Sequence, residues 1–324
     1  MALEKTNLNQ VKIFAFKLLV LIAVFYVFDF LVGATLRYFY FRQKSGVEYE
    51  TIYAMEKANE DVLVFGSSRA SHHYVPKSFE TILGKSFHNV GRENNFVLYS
   101  NALLRSITLR HIPKIVILDL NYREFEKTDR HYDYLSSLLP FYKNHPEIRP
   151  IIEMRSRYEK LKFVSNIYPF NSLAPTIAVG YFGLKKGKEN IQGYIPLYRV
   201  MSDSAKVIGT SDNYPIDSNK VAAYESFVRL CKDKGIKLYV VCSPYYDFVE
   251  HGDSTINLAT QIAIKNEVCF WDYSKDRYYA GKAPFFDDNI HLNNGSATTF
   301  SDSIALRIRA DAMLTQKLTA LGEK

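Results

Sequence analysis

The pattern of apolar positions divides the chain into two parts. Residues 13–36 are almost wholly apolar, whereas from residue 61 onward short apolar runs alternate with segments whose apolar residues recur at helical spacing. An apolar run of about 20 residues is long enough to cross a bilayer as a helix. Short apolar runs that end in Gly or Asn are typical of buried parallel strands. The pattern therefore predicts a membrane-spanning helix followed by an α/β domain.

Five short runs in the second part carry the strand pattern. They lie at residues 61–65, 86–90, 114–120, 236–242 and 268–272. Helical periodicity covers residues 96–109, 219–234 and 295–318. Strands that alternate with helices form a parallel sheet with helices on both faces. We therefore expect a three-layer α/β/α fold around a five-stranded parallel sheet.

The N-terminal apolar segment is interpreted as a retained transmembrane anchor over residues 13–36, with 1–12 as a short tail and 37–60 as a juxtamembrane linker. Asp29 within it is costly in hydrocarbon unless it is paired or near the interface. The sequence Val32-Gly33-Ala34 also fits a signal-peptidase site, so a cleaved signal peptide is the alternative. Lysine and arginine flank both ends in similar numbers, so flanking charge does not fix the orientation.

Residues 61–324 are expected to form the α/β domain, interrupted by an insertion at 126–217. That segment is too long for an ordinary connection, and we expect it to be mostly helical or irregular. Its many tyrosines and phenylalanines are interleaved with lysines and arginines. Such residues can pack on the main domain, stack on sugar rings or touch a membrane surface, and packing is the expected role for most of them.

Composition narrows the choice of partners. The net charge of +7 suits contact with anionic membranes or acidic glycans, but Lys and Arg are scattered and no nucleic-acid-binding signature is present. The three cysteines lack metal spacing and are interpreted as small buried hydrophobes. Adjacent His72 and His73 suggest a metal site with Asp287, Asp288 and His291, yet no further spaced ligands support it. We therefore expect neither a metal nor an organic cofactor.

Two distant motifs carry the residue types of serine-based catalysis. Ser67 and Ser68 follow the first predicted strand, and an Asp precedes a His by three residues, as Asp288 and His291, just before the last predicted helix. A serine hydroxyl is a poor nucleophile unless a histidine accepts its proton and a carboxylate orients that histidine. Because loops after parallel strands meet at one edge of the sheet, we expect the two motifs to converge.

These motifs resemble those of the SGNH (GDSL-like) hydrolase superfamily, which includes lipases, carbohydrate esterases and extracytoplasmic acyltransferases. The resemblance covers about residues 61–318 and implies a flavodoxin-like α/β/α fold. The matching blocks are Gly66-Ser67-Ser68, Asn89-Val90-Gly91, Asp119-Leu120-Asn121 and Asp288-Asn289-Ile290-His291. The sequence departs from the family in two ways, because the Gly-Asp-Ser-Leu form is absent and Asp119 stands where a glycine is usual.

The resemblance implies a role for each matching residue. Ser68 is the expected nucleophile, His291 the base and Asp288 the carboxylate that orients it. The oxyanion hole would consist of the N–H groups of Ser68 and Gly91 and the side-chain amide of Asn121. A further residue, Arg69, either contacts substrate or braces the turn through an acidic neighbour, and we favour bracing.

Together these features predict a membrane-anchored, single-pass serine esterase or O-acyltransferase outside the cytoplasm, in the periplasm or at the cell surface. Its expected substrates are acyl esters, above all acetyl esters of envelope or exported carbohydrate, and its expected partners are the membrane and the envelope polysaccharide machinery. The sequence leaves open whether water or a sugar hydroxyl accepts the acyl group. The alternative is a non-catalytic glycan-binding or assembly component with the same fold, which would have no need of an intact Ser, His and Asp set.

Overall fold

The computed structural model describes residues 2–183, 189–202, 214–247 and 252–322. The strands are β1 Val62–Phe65, β2 Phe87–Asn89, β3 Ile115–Asp119, β4 Lys237–Cys242 and β5 Cys269–Asp272. The α-helices are α1 Ala2–Tyr40, α2 Val47–Glu56, α3 Ser68–His73, α4 Pro76–Leu83, α5 Val97–Ile107, α6 Asp129–Asp133, α7 Arg149–Glu153, α8 Glu159–Lys162, α9 Ala174–Phe182, α10 Ser218–Asp233, α11 Ser254–Lys265 and α12 Asn294–Gly322. Short 3-10 helices cover Tyr134–Phe141, Pro146–Ile148, Tyr168–Phe170 and Ala283–Phe285.

The five strands form one parallel sheet in the order β2-β1-β3-β4-β5. Successive residues of a strand point to opposite faces of the sheet, so each strand contributes side chains to two separate hydrophobic cores. Leu63 and Phe65 pack with α5 and α10 on one face, whereas Val62 and Val64 pack with α4 and α12 on the other. The predicted α/β/α fold with five parallel strands is thereby confirmed.

Helix α1 continues from an exposed apolar half into the folded domain. Its segment Asn9–Tyr40 is long and apolar enough to cross a membrane, although a signal sequence would meet the same criteria of length and composition. Residues 9–28 are exposed, whereas Gly33 and Tyr40 are buried. A single helix therefore combines an uncovered apolar stretch with a part that belongs to the core.

The charge within the apolar segment is paired with the insertion. The Asp29 carboxylate accepts hydrogen bonds from the Ser165 hydroxyl, from the backbone N–H of Asn166 at 2.6 Å, from the Asn166 amide and from the backbone N–H of Ile167. One turn further along, a Cβ at Gly33 would lie 2.5 Å from Asn166. Pairing offsets much of the cost of an ionised group within an apolar segment.

The segments that the sequence assigns to a linker and an insertion both contribute to the core of the domain. From residues 37–60, Tyr40, Ile52 and Met55 are buried in the core on the α5 face of the sheet. From the insertion, Leu138 and Phe141 join the same core. Residues 37–60 and the insertion therefore both belong to the folded domain.

Candidate active site

A tight turn carries the chain from β1 into α3. Gly66 has φ +141°, and a Cβ there would lie 2.6 Å from the backbone oxygen of Asp119. A residue other than glycine would therefore be strained at this position. Ser67 is buried at the N-cap, and Ser68 begins α3 with its side chain partly exposed.

The three predicted catalytic side chains lie within hydrogen-bonding distance of one another. The Ser68 hydroxyl is 2.8 Å from Nε2 of His291. On the other side of the ring, Nδ1 of His291 is 2.9 Å from Oδ2 of Asp288. The Asp288 carboxylate also accepts the backbone N–H groups of Ile290 and His291 at 2.9 Å each, which fixes the loop just before α12. The two distant motifs therefore converge as the sequence predicts.

The environment of Asp288 keeps its carboxylate ionised. Burial opposes ionisation, but the hydrogen bond and charge of His291 and the two backbone N–H groups outweigh it and lower the pKa of Asp288 to about 2. An ionised carboxylate holds the proton of His291 on Nδ1, so the lone pair on Nε2 faces the Ser68 hydroxyl. This is the tautomer that a general base requires.

The predicted oxyanion donors lie in loops at the same edge of the sheet. Gly91 packs closely on α3, because a Cβ there would be 2.7 Å from the Cβ of Ala70. Its N–H donates to the side chain of Asn89 at 3.0 Å. The Asn121 amide donates one N–H to Glu124 at 3.0 Å and has a second N–H in the amide. Their role as oxyanion donors stays a prediction.

Glu124 orients Asn121, and sequence reasoning did not identify it. Its buried carboxylate accepts the backbone N–H and side-chain amide of Asn121 and, at 2.6 Å, the backbone N–H of Val97. Since both Asn121 groups donate to the same oxygen of Glu124, the N–H side of the Asn121 amide faces Glu124. A Glu three residues after an Asn is too common a pattern to predict this contact.

The titration of Glu124 should be visible in the pH dependence of stability. Burial raises the pKa of Glu124 to about 7, although its hydrogen-bond donors and Lys220 oppose the shift. The folded state then keeps a proton that the unfolded state loses near its ordinary pKa, so stability falls as pH rises between those two values. We therefore expect the free energy of unfolding of Glu124→Gln, measured in urea from pH 4 to pH 8, to fall less with rising pH than that of the wild type.

A matched control is Glu225→Gln, which changes an exposed glutamate on α10. Its stability profile should run parallel to that of the wild type. A Glu124→Gln profile that also runs parallel to the wild type would show that Glu124 has an ordinary pKa.

Arg69 braces the turn from inside the protein. Its buried guanidinium bonds to the backbone oxygen and hydroxyl of Ser243, lies 3.7 Å from the ring centroid of Tyr245 and is 3.8 Å from Asp119. Asp119 also accepts the Tyr74 hydroxyl at 2.6 Å. The residue that replaces the usual glycine of the third motif thus supplies a counter-charge to Arg69, and this geometry favours bracing over substrate contact.

Loss of this brace should destabilise the fold. Arg69→Ala leaves the Asp119 carboxylate buried without its cation, and breaking such a pair typically costs about 3 to 5 kcal/mol. We expect a loss of this size in urea unfolding, and a smaller loss when Asp119→Ala is added. Arg229→Ala, at an exposed position on α10, is the control. A loss below about 1 kcal/mol, as is usual at the surface, would contradict the role of Arg69.

The two adjacent histidines have different partners. Nε2 of His73 accepts the backbone N–H of Leu292 at 2.9 Å, so its Nδ1 donates to the hydroxyl of Ser243. Burial and the nearby Arg69 hold the pKa of His73 well below its usual value. His72 instead bonds through Nδ1 to the backbone oxygen of Ile195. Within the described residues no group of three or more His, Cys, Asp or Glu side chains is arranged to hold a metal.

Residues 189–202 of the insertion connect the helix of Ser68 with the loop of Asp288. The backbone N–H of Ile195 donates to Ser71 of α3 at 2.9 Å. Further on, the N–H of Met201 donates to Phe286, and Arg199 forms an ion pair with Asp287 at 2.8 Å. Residues 195–201 therefore contact both the helix of Ser68 and the loop of Asp288. Most of these contacts involve backbone groups, which leave no sequence signal.

A polar chain connects the end of α1 with the same turn. The Tyr40 hydroxyl donates to Glu48 of α2 at 3.4 Å, and Glu48 forms an ion pair with Arg92 at 3.0 Å. The backbone N–H of Arg92 donates to the oxygen of Gly66 at 3.1 Å. Three polar contacts therefore link the C-terminal end of α1 to the turn that presents Ser68.

Comparison with known proteins gives similarities of structure alone. The sequence matches no family model and no curated protein. Its structure is similar to that of a candidate acylhydrolase from Bacteroides fragilis, with 12% identity and a TM-score of 0.40 over 83% of this chain and 99% of the other. It is also similar to an acetyl xylan esterase, AlAXEase, with 11% identity and a TM-score of 0.38 over 75% of this chain and 97% of the other.

These two names agree with the resemblance of the motifs to SGNH hydrolases. At such low identities and TM-scores they carry no weight for the activity of this chain. We therefore base the functional proposal on its own side chains.

Proposed function

We propose that the protein is a serine esterase or O-acyltransferase of the SGNH type, in which Ser68, His291 and Asp288 form the catalytic triad. The observation that carries this proposal is the continuous hydrogen-bonded path from the Ser68 hydroxyl through the His291 ring to the Asp288 carboxylate. A non-catalytic scaffold has no use for a base aligned on a partly exposed hydroxyl.

The proposed reaction passes through an acyl-enzyme. The oxygen of Ser68 attacks the ester carbonyl while Nε2 of His291 takes its proton, and the imidazolium is stabilised by Asp288. Collapse of the tetrahedral intermediate releases the alcohol, which receives that proton from His291. Water or an acceptor hydroxyl then gives its proton to His291 and takes the acyl group from Ser68, and His291 returns that proton to the Ser68 oxygen. Asn121, Gly91 and Ser68 are the proposed donors to the oxyanion.

We also propose that α1 is a retained single-pass anchor and that the α/β domain lies outside the cytoplasm. The contacts of α1 support retention, because cleavage after Ala34 would remove Asp29 from its partners at Ser165 and Asn166. Residues 13–28 of α1 are mostly apolar and all exposed, which supports a spanning role. The location outside the cytoplasm follows from the motif resemblance.

The proposed substrates are acyl esters of carbohydrate, with acetyl esters first. The test is to supply acetylated glycans to the purified full chain and to measure released acetate together with acetyl groups transferred to unmodified glycan. We expect acetate, transferred acetyl groups or both, in amounts unchanged by a chelator, because no step uses a metal.

The two products separate the two activities. Transfer that exceeds hydrolysis identifies an acyltransferase, and hydrolysis alone identifies an esterase. If neither product forms from any acyl ester offered and the protein binds the glycans unchanged, the non-catalytic alternative is the correct one.

A further inference from the structure

The part of the insertion beside Asp29 presents exposed apolar side chains. Tyr158, Leu161 and Val164 are 53%, 68% and 68% exposed, respectively. Val164 immediately precedes Ser165, whose hydroxyl bonds to Asp29 of α1. We call these three residues the helix-side patch.

The position of the patch along α1 is set by the Asp29 contact. Residues 9–28 of α1 are all exposed, and Asp29 is the first residue after them that is partly covered. The apolar residues 13–28 extend about 24 Å along the helix axis, close to the ~30 Å thickness of the hydrocarbon core of a bilayer, and Lys17 is near enough to their outer end to reach the headgroups with its long side chain. If residues 13–28 lie in the hydrocarbon, the bilayer surface lies near the level of Asp29, and the patch lies at that surface.

Charge at the patch fits the same surroundings. Arg157, Lys160 and Lys162 alternate with the apolar residues and are exposed, and the guanidinium of Arg157 lies 4.5 Å from the ring centroid of Tyr158. Apolar side chains among cations are typical of segments that lie in the headgroup region of a membrane. Long cationic side chains can bury their carbon stems there and keep their charges among lipid phosphates.

We propose that the helix-side patch inserts into the headgroup region of the bilayer beside α1, so that the domain is held by a lipid contact as well as by its anchor. The proposal rests on the proposed function only for the spanning role of α1. It assigns the patch to lipid and not to a protein partner, because Val164 is next to Ser165, which bonds to Asp29 at the end of the exposed stretch of α1.

The test uses the full chain in nanodiscs of zwitterionic and anionic phospholipid. Leu161→Cys and Val164→Cys are labelled with bimane in a Cys269→Ser background, since the other two cysteines are buried. Quenching by lipids that carry a nitroxide near the headgroup reports contact. Val200→Cys is the matched control, because Val200 is 65% exposed and its neighbour Met201 bonds to the loop of Asp288. Phe25→Cys marks the exposed stretch of α1.

We expect about twofold or greater quenching at positions 161 and 164, and none at 200, as for side chains that enter the headgroup region. Quenching at position 25 without quenching at 161 and 164 would refute the lipid contact of the helix-side patch and leave the spanning role of α1 intact. An absence of quenching at 25 would refute the anchor and the patch together. Thermal unfolding of each labelled variant shows that it is folded, and ester hydrolysis tests the catalytic proposal separately.

Discussion

Replacing Ser68 by alanine should abolish acyl-ester cleavage. The substitution removes the oxygen that would attack the ester, and this oxygen lies 2.8 Å from Nε2 of His291. Loss of a triad serine typically lowers kcat by a factor on the order of 10⁶. Steady-state hydrolysis of an activated acetyl ester, followed by labelling with a fluorophosphonate probe, measures both the rate and the reactive hydroxyl. We expect neither turnover nor label in Ser68→Ala.

The adjacent serine is the matched control. Ser67 is buried at the N-cap of α3, and its side chain makes no capping hydrogen bond there. Ser67→Ala should therefore keep both turnover and label within a few-fold of the wild type. Fluorophosphonate labelling that survives Ser68→Ala would falsify the assignment of the nucleophile. Labelling that is lost only in Ser67→Ala would exchange the roles of the two serines.

The second large effect is expected for Asp288→Asn. The amide cannot hold the proton of His291 on Nδ1 as the carboxylate does at 2.9 Å, so Nε2 loses its alignment as a base. In serine hydrolases the equivalent change lowers kcat by about 10⁴-fold. Because Asp288 keeps its charge down to a pH of about 2, the wild type should retain this contribution throughout any practical pH range.

The measurement for Asp288→Asn is kcat for the same ester from pH 6 to pH 10. Hydroxide can partly replace a missing base, so the residual activity should rise with pH more steeply than in the wild type. Asp233→Asn, at an exposed aspartate at the end of α10, should leave the profile unchanged. Asp288→Asn activity above about a tenth of the wild type would be too high for a triad member.

The sequence was sufficient to predict the sheet and the convergence of Ser68, His291 and Asp288. The apolar runs that end in Gly66, in Gly91 and before Asn121 have the length and composition of buried parallel strands, and the topology of such strands brings their following loops to one edge. Asp288 and His291 could be identified because the chemistry constrains both residue types and their spacing. Local pattern and covalent geometry therefore account for this part of the site.

Contacts between side chains remote in sequence could not be predicted in the same way. The partner of Asp29 lies 136 residues away, at Ser165, inside an insertion whose pattern is irregular. Asp119 departs from the motif, and its role became clear only from the buried guanidinium of Arg69. Glu124 acts on Asn121 through the local fold of a loop. These contacts depend on tertiary packing, which neither periodicity nor motif spacing encodes.

The unbroken course of α1 from Asp29 to Tyr40 bears on which molecules the proposed active site could reach. These residues extend about 16 Å along the helix axis beyond the proposed bilayer surface, and polar contacts through Tyr40, Glu48 and Arg92 connect that far end with the turn of Ser68. If that turn lies level with the end of the helix, the Ser68 hydroxyl is held clear of the lipid. An acyl chain embedded in the bilayer would then be out of reach, whereas a polymer that extends away from the membrane would be accessible.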